Sequence, residues 1–274
     1  MQLIDIGVNL THDSFDSDRA EVIARAAAAH VDQMIVTGAS VASSRQAIAL
    51  ARSHPTRLFA TAGIHPHHAT ELDSERAAEL ESLVAEPEVV AIGECGLDYY
   101  RDYSPRDAQR RAFERQLGLA ARAGKPVFLH QRDAHADFIA ILREHRRAIT
   151  AGVAHCFTGT REQLAEYLEL GLAVGLTGWI CDERRGRHLI PLMREIPAEQ
   201  LMVETDAPYL LPRDLAVKPG ARRNEPMYLP HVVRAIASAR GEPAEELADS
   251  VTLATRALFR LPPPPDRAAM EDQP

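Results

Sequence analysis

Two kinds of segment alternate along the chain. One is a short, almost unbroken apolar run, and it recurs at residues 2–6, 31–38, 58–64, 89–92, 127–130, 151–157, 172–179 and 201–206. The other is longer and amphipathic, with apolar positions returning at helical spacing. These segments predict helices at 18–30, 41–54, 74–85, 107–123, 134–147 and 161–170, a weaker one at 186–195, and two more at 229–239 and 243–259. Near-continuous apolar runs are the mark of strands buried on both faces, as in a parallel sheet. Eight such βα alternations predict an α/β fold of the closed (β/α)8 TIM-barrel kind, with parallel strands and a single domain over residues 1–260. The alternative is an open doubly wound sheet. No GxGxxG or GxxxxGK[ST] run marks it. Residues 261–274, Pro-rich and polar, are expected to form a disordered tail.

Composition narrows the function. Hydrophobic residues make up 46% and aromatic residues 5%, so the core is aliphatic. Lys plus Arg number 31 against 39 Asp plus Glu, a net charge of −8. That opposes a role in coating nucleic acid, where affinity comes largely from phosphate neutralisation. It leaves room for an enzyme whose bound cation meets the substrate. The three cysteines, Cys95, Cys156 and Cys181, are odd in number and lack CxxC spacing, so a disulfide framework is not expected and a cytoplasmic setting is. No signal-peptide pattern opens the chain and no apolar run reaches the ~20 residues of a membrane span.

In a barrel of this kind the chemistry sits at the C-terminal ends of the strands. Taken in order, those ends offer Asp5 and Asn9, His65 and His67, Glu94, His130 and Arg132, His155, Thr177 and Trp179, and Glu204 and Asp206. A carboxylate such as Glu94, closing an apolar strand, is costly to bury without a partner. Side chains alternate faces along a strand, so His130 shares a face with Arg132, and Glu204 with Asp206. The same alternation turns Cys95 and Cys156 away from the site, and all three cysteines read as structural. A Glu/His/His/Asp set suits Mg2+, Mn2+ or Zn2+, and spacing does not choose among them. Such sites activate water. Asp206 is either its general base or a further ligand. Arg132, Arg184, Arg185, Arg187, Arg213, Lys218, Arg222 and Arg223 follow strands five, seven and eight. As a cluster they point to a phosphate-bearing substrate. Trp179 and Tyr209 suit either base stacking or packing.

Several stretches together resemble the TatD-type metal-dependent nucleases of the amidohydrolase-like barrel superfamily, in the founding-member branch. They are Gly63-Ile-His-Pro-His67, Ala91-Ile-Gly-Glu-Cys-Gly-Leu-Asp98 and Pro126-Val-Phe-Leu-His130, followed by His155-Cys-Phe-Thr-Gly159, Glu204-Thr-Asp-Ala-Pro-Tyr-Leu210 and Arg223-Asn-Glu-Pro226. The resemblance implies that Glu94, His130 and His155 are metal ligands and that Asp206 is the catalytic, metal-contacting aspartate. It also implies substrate contacts from His65 and His67, with Arg132 and Glu204 either behind the ligands or on the phosphate side. Many members open with Asp-x-His-x-His, which holds one of two metals; here Gly7 and Asn9 stand at the two histidine positions. A first metal site at Asn9 is therefore weak or absent, so one metal is expected and the second stays open. The implied activity is Mg2+-dependent 3′–5′ exonuclease action on single-stranded DNA and RNA, with a role in repairing oxidative DNA damage, by a monomer. The competing expectation is a metal-dependent amidohydrolase or lactonase on the same barrel, since fold does not fix function.

Overall fold

A computed structural model describes residues 1–217, 219–220 and 222–264. Eight strands lie side by side in chain order: β1 Leu3–Val8, β2 Val31–Val36, β3 Leu58–Ala62, β4 Val89–Asp98, β5 Val127–Arg132, β6 Gly152–Ala154, β7 Ala173–Leu176 and β8 Leu201–Val203. Each is parallel to its neighbour. The helices α1 Arg19–Ala28, α2 Val41–Ser53, α3 Ser74–Val84, α4 Arg106–Ala123, α5 His135–His145 and α6 Arg161–Glu169 alternate with them, and α7 Leu229–Arg240 and α8 Ala244–Phe259 follow β8. This is a (β/α)8 barrel. Among the described residues, no helix is long and apolar enough to cross a membrane.

The seam between β1 and β8 is closed from both backbone and side chain. Asp206 N–H donates to Gly7 O (2.8 Å) and Asn9 N–H to Ala207 O (2.8 Å). Deeper in, the fully buried Asp5 accepts from Gly7 N–H (3.2 Å) and Thr205 N–H (3.0 Å), and its second oxygen accepts from the Thr205 hydroxyl (2.5 Å). Asp5 is thus a stitch across the seam rather than part of the strand-end cluster.

The alternation of side chains sorts the core into two layers. Ile4, Ile6, Ile35, Phe59, Ala91, Phe128, Val153, Ala173 and Met202 fill the barrel interior. Leu3, Val31, Met34, Ile92, Cys95, Leu129 and Val174 face the helices. Each large side chain sealed inside contributes about 1.5–3 kcal/mol of apolar burial. Phe259 and Leu261 join the inner layer, and Pro262 O accepts from Gln33 Nε2 (3.0 Å). The ordered chain therefore runs past residue 260 into the expected tail; residues 265–274 lie outside those described.

Two elements depart from the sequence expectation. Residues 186–195 make no α-helix; a 3-10 turn, Ile190–Arg194, stands there with Pro191 in its first turn. Proline has no N–H to continue a helix, and Pro197 follows too soon for another start. Strand β4 does not stop at Ile92 but runs on to Asp98, which puts Glu94 inside the strand. Gly96 makes this possible: at φ 145°, a Cβ there would lie 1.9 Å from His130 O, so only glycine lets β4 approach β5 so closely.

Candidate active site

The C-terminal rim gathers the expected residues around one oxygen. Glu94 Oε1 lies 2.8 Å from His130 Nδ1, 2.9 Å from His155 Nε2 and 3.4 Å from His65 Nε2. Glu94, His65 and His155 are buried, and His130 is half-buried. The donor atoms of His65, Glu94 and His130 all fall within 4.8 Å of one another.

Tautomers follow from what each ring's other nitrogen touches. His65 caps the 3-10 turn Pro66–Glu71, its Nδ1 accepting from His67 N–H (3.1 Å), so its proton is on Nε2. Burial pushes His65 down to about 4, against the pull of Glu94, so it is a neutral N–H donor. His155 is the reverse. Its Nδ1 meets Glu204 Oε2 at 3.2 Å, so that nitrogen carries the proton, and a neutral ring would aim a lone pair at Glu94. A lone pair 2.9 Å from a carboxylate oxygen is repulsive unless a cation lies between them. Burial opposes charge on His155, yet Glu94 and Glu204 hold it well above the usual histidine range.

His130 shows the same demand. Its Nε2 is buried without a hydrogen-bond partner and stands 3.5 Å from Asp98 Oδ2. Burial would depress it, but Asp98 and Glu94 raise it. Burial would likewise raise Glu94; His155, His65 and His130 outweigh this and hold it well below the carboxylate range. Carboxylates from Glu94, Asp98, Glu204 and Asp206 surround these imidazoles, and this donor set fits a divalent cation.

Asp206 sits on the β1–β8 side, at φ 54°, and its Oδ1 accepts from Asn9 Nδ2 (3.1 Å). Burial pushes it up to about 7, with Glu94 and Glu204 adding to the rise and His155 opposing it. Asn9, expected at a weak first metal site, is thus a positioning donor for Asp206.

Glu204 was expected either among the substrate contacts or behind the ligands, and it stands behind His155. It is fully buried, with one oxygen on His155 and the other accepting from Cys156 N–H (2.5 Å). Its carboxylate occupies the space that two glycines leave open: a Cβ on Gly7 would lie 2.4 Å from Oε2, and one on Gly175 2.5 Å from Oε1. Arg132 is exposed on the rim with its guanidinium 3.9 Å over the Tyr100 ring. His67 Nε2 pairs with Asp98 Oδ2 at 2.8 Å.

Asp98 is the residue that sequence reasoning left without a role. It shares the face of Glu94, four positions on, and strand alternation would have pointed to it. Its Oδ1 accepts from Tyr100 N–H (3.0 Å) and Arg101 N–H (2.8 Å), while Oδ2 faces His67 and His130. Burial is again outweighed, by His130 first, and its carboxyl is held well below the usual range.

The basic loops are less bare than their sequence implies. Arg185 pairs with Asp182 (3.1 Å), Arg213 with Glu183 (3.0 Å), and Arg223 with Asp18 (2.6 Å) and Glu225 (2.8 Å). Arg223 is a clamp between α1 and the loop before α7. Lys218 lies outside the described residues. All three cysteines are free thiols, and burial pushes each of them up into the neutral form.

Comparison with known proteins agrees with this geometry. Residues 4–260 match the family model described as TatD related DNase. The proteins named 3′-5′ ssDNA/RNA exonuclease TatD from Erwinia tasmaniensis and Pantoea vagans are each 52% identical over 259 residues, covering 94% of this chain and all of theirs. Among solved structures, a hydrolase TatD family protein from Entamoeba histolytica superposes with a TM-score of 0.86 at 27% identity, covering 94% of this chain and 98% of its own. YJJV, a TatD homolog from Escherichia coli, gives 0.86 at 29% identity, covering 95% and 98%. With a family match across nearly the whole barrel and the histidine–carboxylate cluster at its rim, the chain belongs to the TatD-related DNase family.

Proposed function

We propose that the chain is a divalent-metal-dependent exonuclease that hydrolyses phosphodiester bonds of single-stranded DNA and RNA from the 3′ end, with Mg2+ as the working ion. The observation that carries this reading is the convergence of three imidazole nitrogens on Glu94 Oε1. The strand polarity and substrate are those in the names of its 52% identical relatives. Repair of oxidative DNA damage, by a monomer in the cytoplasm, completes the proposal.

Glu94, His130, His155 and Asp206 would hold the ion. A bound divalent cation supplies Lewis acidity toward a phosphoryl oxygen and lowers the pKa of water. The chain's own groups do the rest. Glu204 keeps the His155 proton on Nδ1, so that Nε2 is free to coordinate. His65 and His67 flank the cluster as substrate contacts, the His67 ring being anchored on Asp98. Asn9 holds one oxygen of Asp206, leaving the other to take the proton of the attacking water. Tyr100, Tyr103 and Tyr209, exposed by 58%, 66% and 51%, are set about this rim, and flat exposed rings suit unpaired bases.

The test uses single-stranded oligonucleotides labelled at the 3′ or the 5′ end, incubated with pure protein and Mg2+. Immediate loss of the 3′ label, a shortening ladder from the 5′ label, and silence in chelator are expected. No shortening with Mg2+, Mn2+ or Zn2+ would sink the proposal.

A further inference from the structure

Trp179 is the chain's only tryptophan. It follows β7 on the 3-10 turn Gly178–Cys181. Beside it opens a cavity of about 560 Å³, bounded by Trp179 and Arg185 on one loop and by Leu211, Pro212, Arg213 and Arg222 on the loop after β8. Two contacts tie the turn that carries Trp179 to the loop that follows His155. Thr177 Oγ1 accepts from Trp179 N–H (3.2 Å) and lies 3.9 Å from the Sγ of Cys156, the neighbour of His155. Leu211 stands five positions past Asp206 on the opposite wall.

The lining describes a ligand. The Arg185 guanidinium lies 4.4 Å from the centroid of the Trp179 ring, which is partly packed on the core, so this wall of the cavity joins an aromatic ring and a cation. The acids nearby are already engaged, Asp182 by Arg185 and Glu183 by Arg213. Arg222 is exposed and makes no ion pair among the described residues. Loops after the seventh and eighth strands are a recurrent phosphate site in barrels of this type. An aromatic face with a free cation, in a cavity of ordinary ligand size, matches a nucleotide.

We infer that this cavity is a second nucleotide site. Resting on the nuclease reading, it takes one nucleotide of the single strand beyond the scissile bond, its base on Trp179 and its phosphate on Arg222. Cleavage at the Glu94 cluster then proceeds while the cavity grips the strand.

The lone tryptophan makes the site observable. The Asp206→Asn protein with Mg2+ is titrated with thymidine monophosphate and with oligothymidylates of two to ten residues, following tryptophan emission. Saturable quenching by the strands, at least about tenfold tighter than by the monophosphate, is expected, because one stacked base contributes on that order. In otherwise unaltered enzyme, Trp179→Ala should raise KM for the ten-residue strand about tenfold, and Trp179→Phe should recover most of it. Cleavage with no emission change and an unaltered KM overturns the site. A loss in kcat that Trp179→Phe shares marks a merely structural tryptophan and overturns it equally. Quenching by strands that the unaltered enzyme never cleaves keeps the site and removes the nuclease reading instead.

Discussion

Replacing Glu204 by Gln keeps the side chain's size and removes its charge at a fully buried position. The two oxygens of Glu204 now accept from two N–H groups, His155 Nδ1 and Cys156 N. A Gln amide has one acceptor and one donor end, so whichever way it turns, one N–H faces another. Burial leaves no water to relieve the clash. The least costly escape is a proton shift on His155, from Nδ1 to Nε2, after which the Gln donates to Nδ1. That shift places an N–H where a ligand lone pair is needed. Outer partners of metal-binding histidines typically carry 10–100-fold in metal affinity, about 1.4 to 2.7 kcal/mol. Titration calorimetry with Mn2+ or Mg2+ on Glu204→Gln and unaltered protein should show this loss. Activity should recover partly as metal concentration rises. A folded Glu204→Gln protein with unchanged metal affinity would refute the tautomer argument.

Other outcomes follow from the same geometry. Gly7→Ala drives a methyl to within 2.4 Å of Glu204 Oε2 and 3.1 Å of Phe128 Cζ, so Glu204 or β1 must move; a stability loss of about 1–3 kcal/mol in urea unfolding is expected, with weakened metal binding, and near-normal values in both would contradict the cradle. The same contact means that a histidine at position 7 cannot rebuild a first metal site without displacing Glu204. Glu94→Gln should cut nuclease activity by at least about a hundredfold while leaving the far-ultraviolet dichroism unchanged, and full activity would dismiss Glu94 as the hub. The Arg223 hydrogen bond, aided by Arg25, holds Asp18 at about 2, below the ordinary 3.8. A depressed acid stabilises the fold above its unfolded pKa and loses that contribution as pH falls through the folded value. Urea midpoints should therefore drop between about pH 4 and pH 2, and Arg223→Ala should flatten that drop; an identical acid profile in the variant would remove the clamp.

What the chain by itself determined is its periodic frame. Apolar runs alternating with amphipathic segments specify strands buried on both faces, and eight of them in order leave few topologies but the barrel. Strand alternation then sends Glu94 and His130 to the rim, because it depends only on position within a run. Their meeting with His155, and what lies behind them, rests on contacts between strands distant in sequence. Glu204 touches His155 49 positions away and fills space left by Gly7 and Gly175. Asn9 holds Asp206 across 197 positions. The basic loops read as a positive face until packing brought Asp182, Glu183, Asp18 and Glu225 against them. A charge's partner is set by distance through space, and closure of the barrel is what sets that distance.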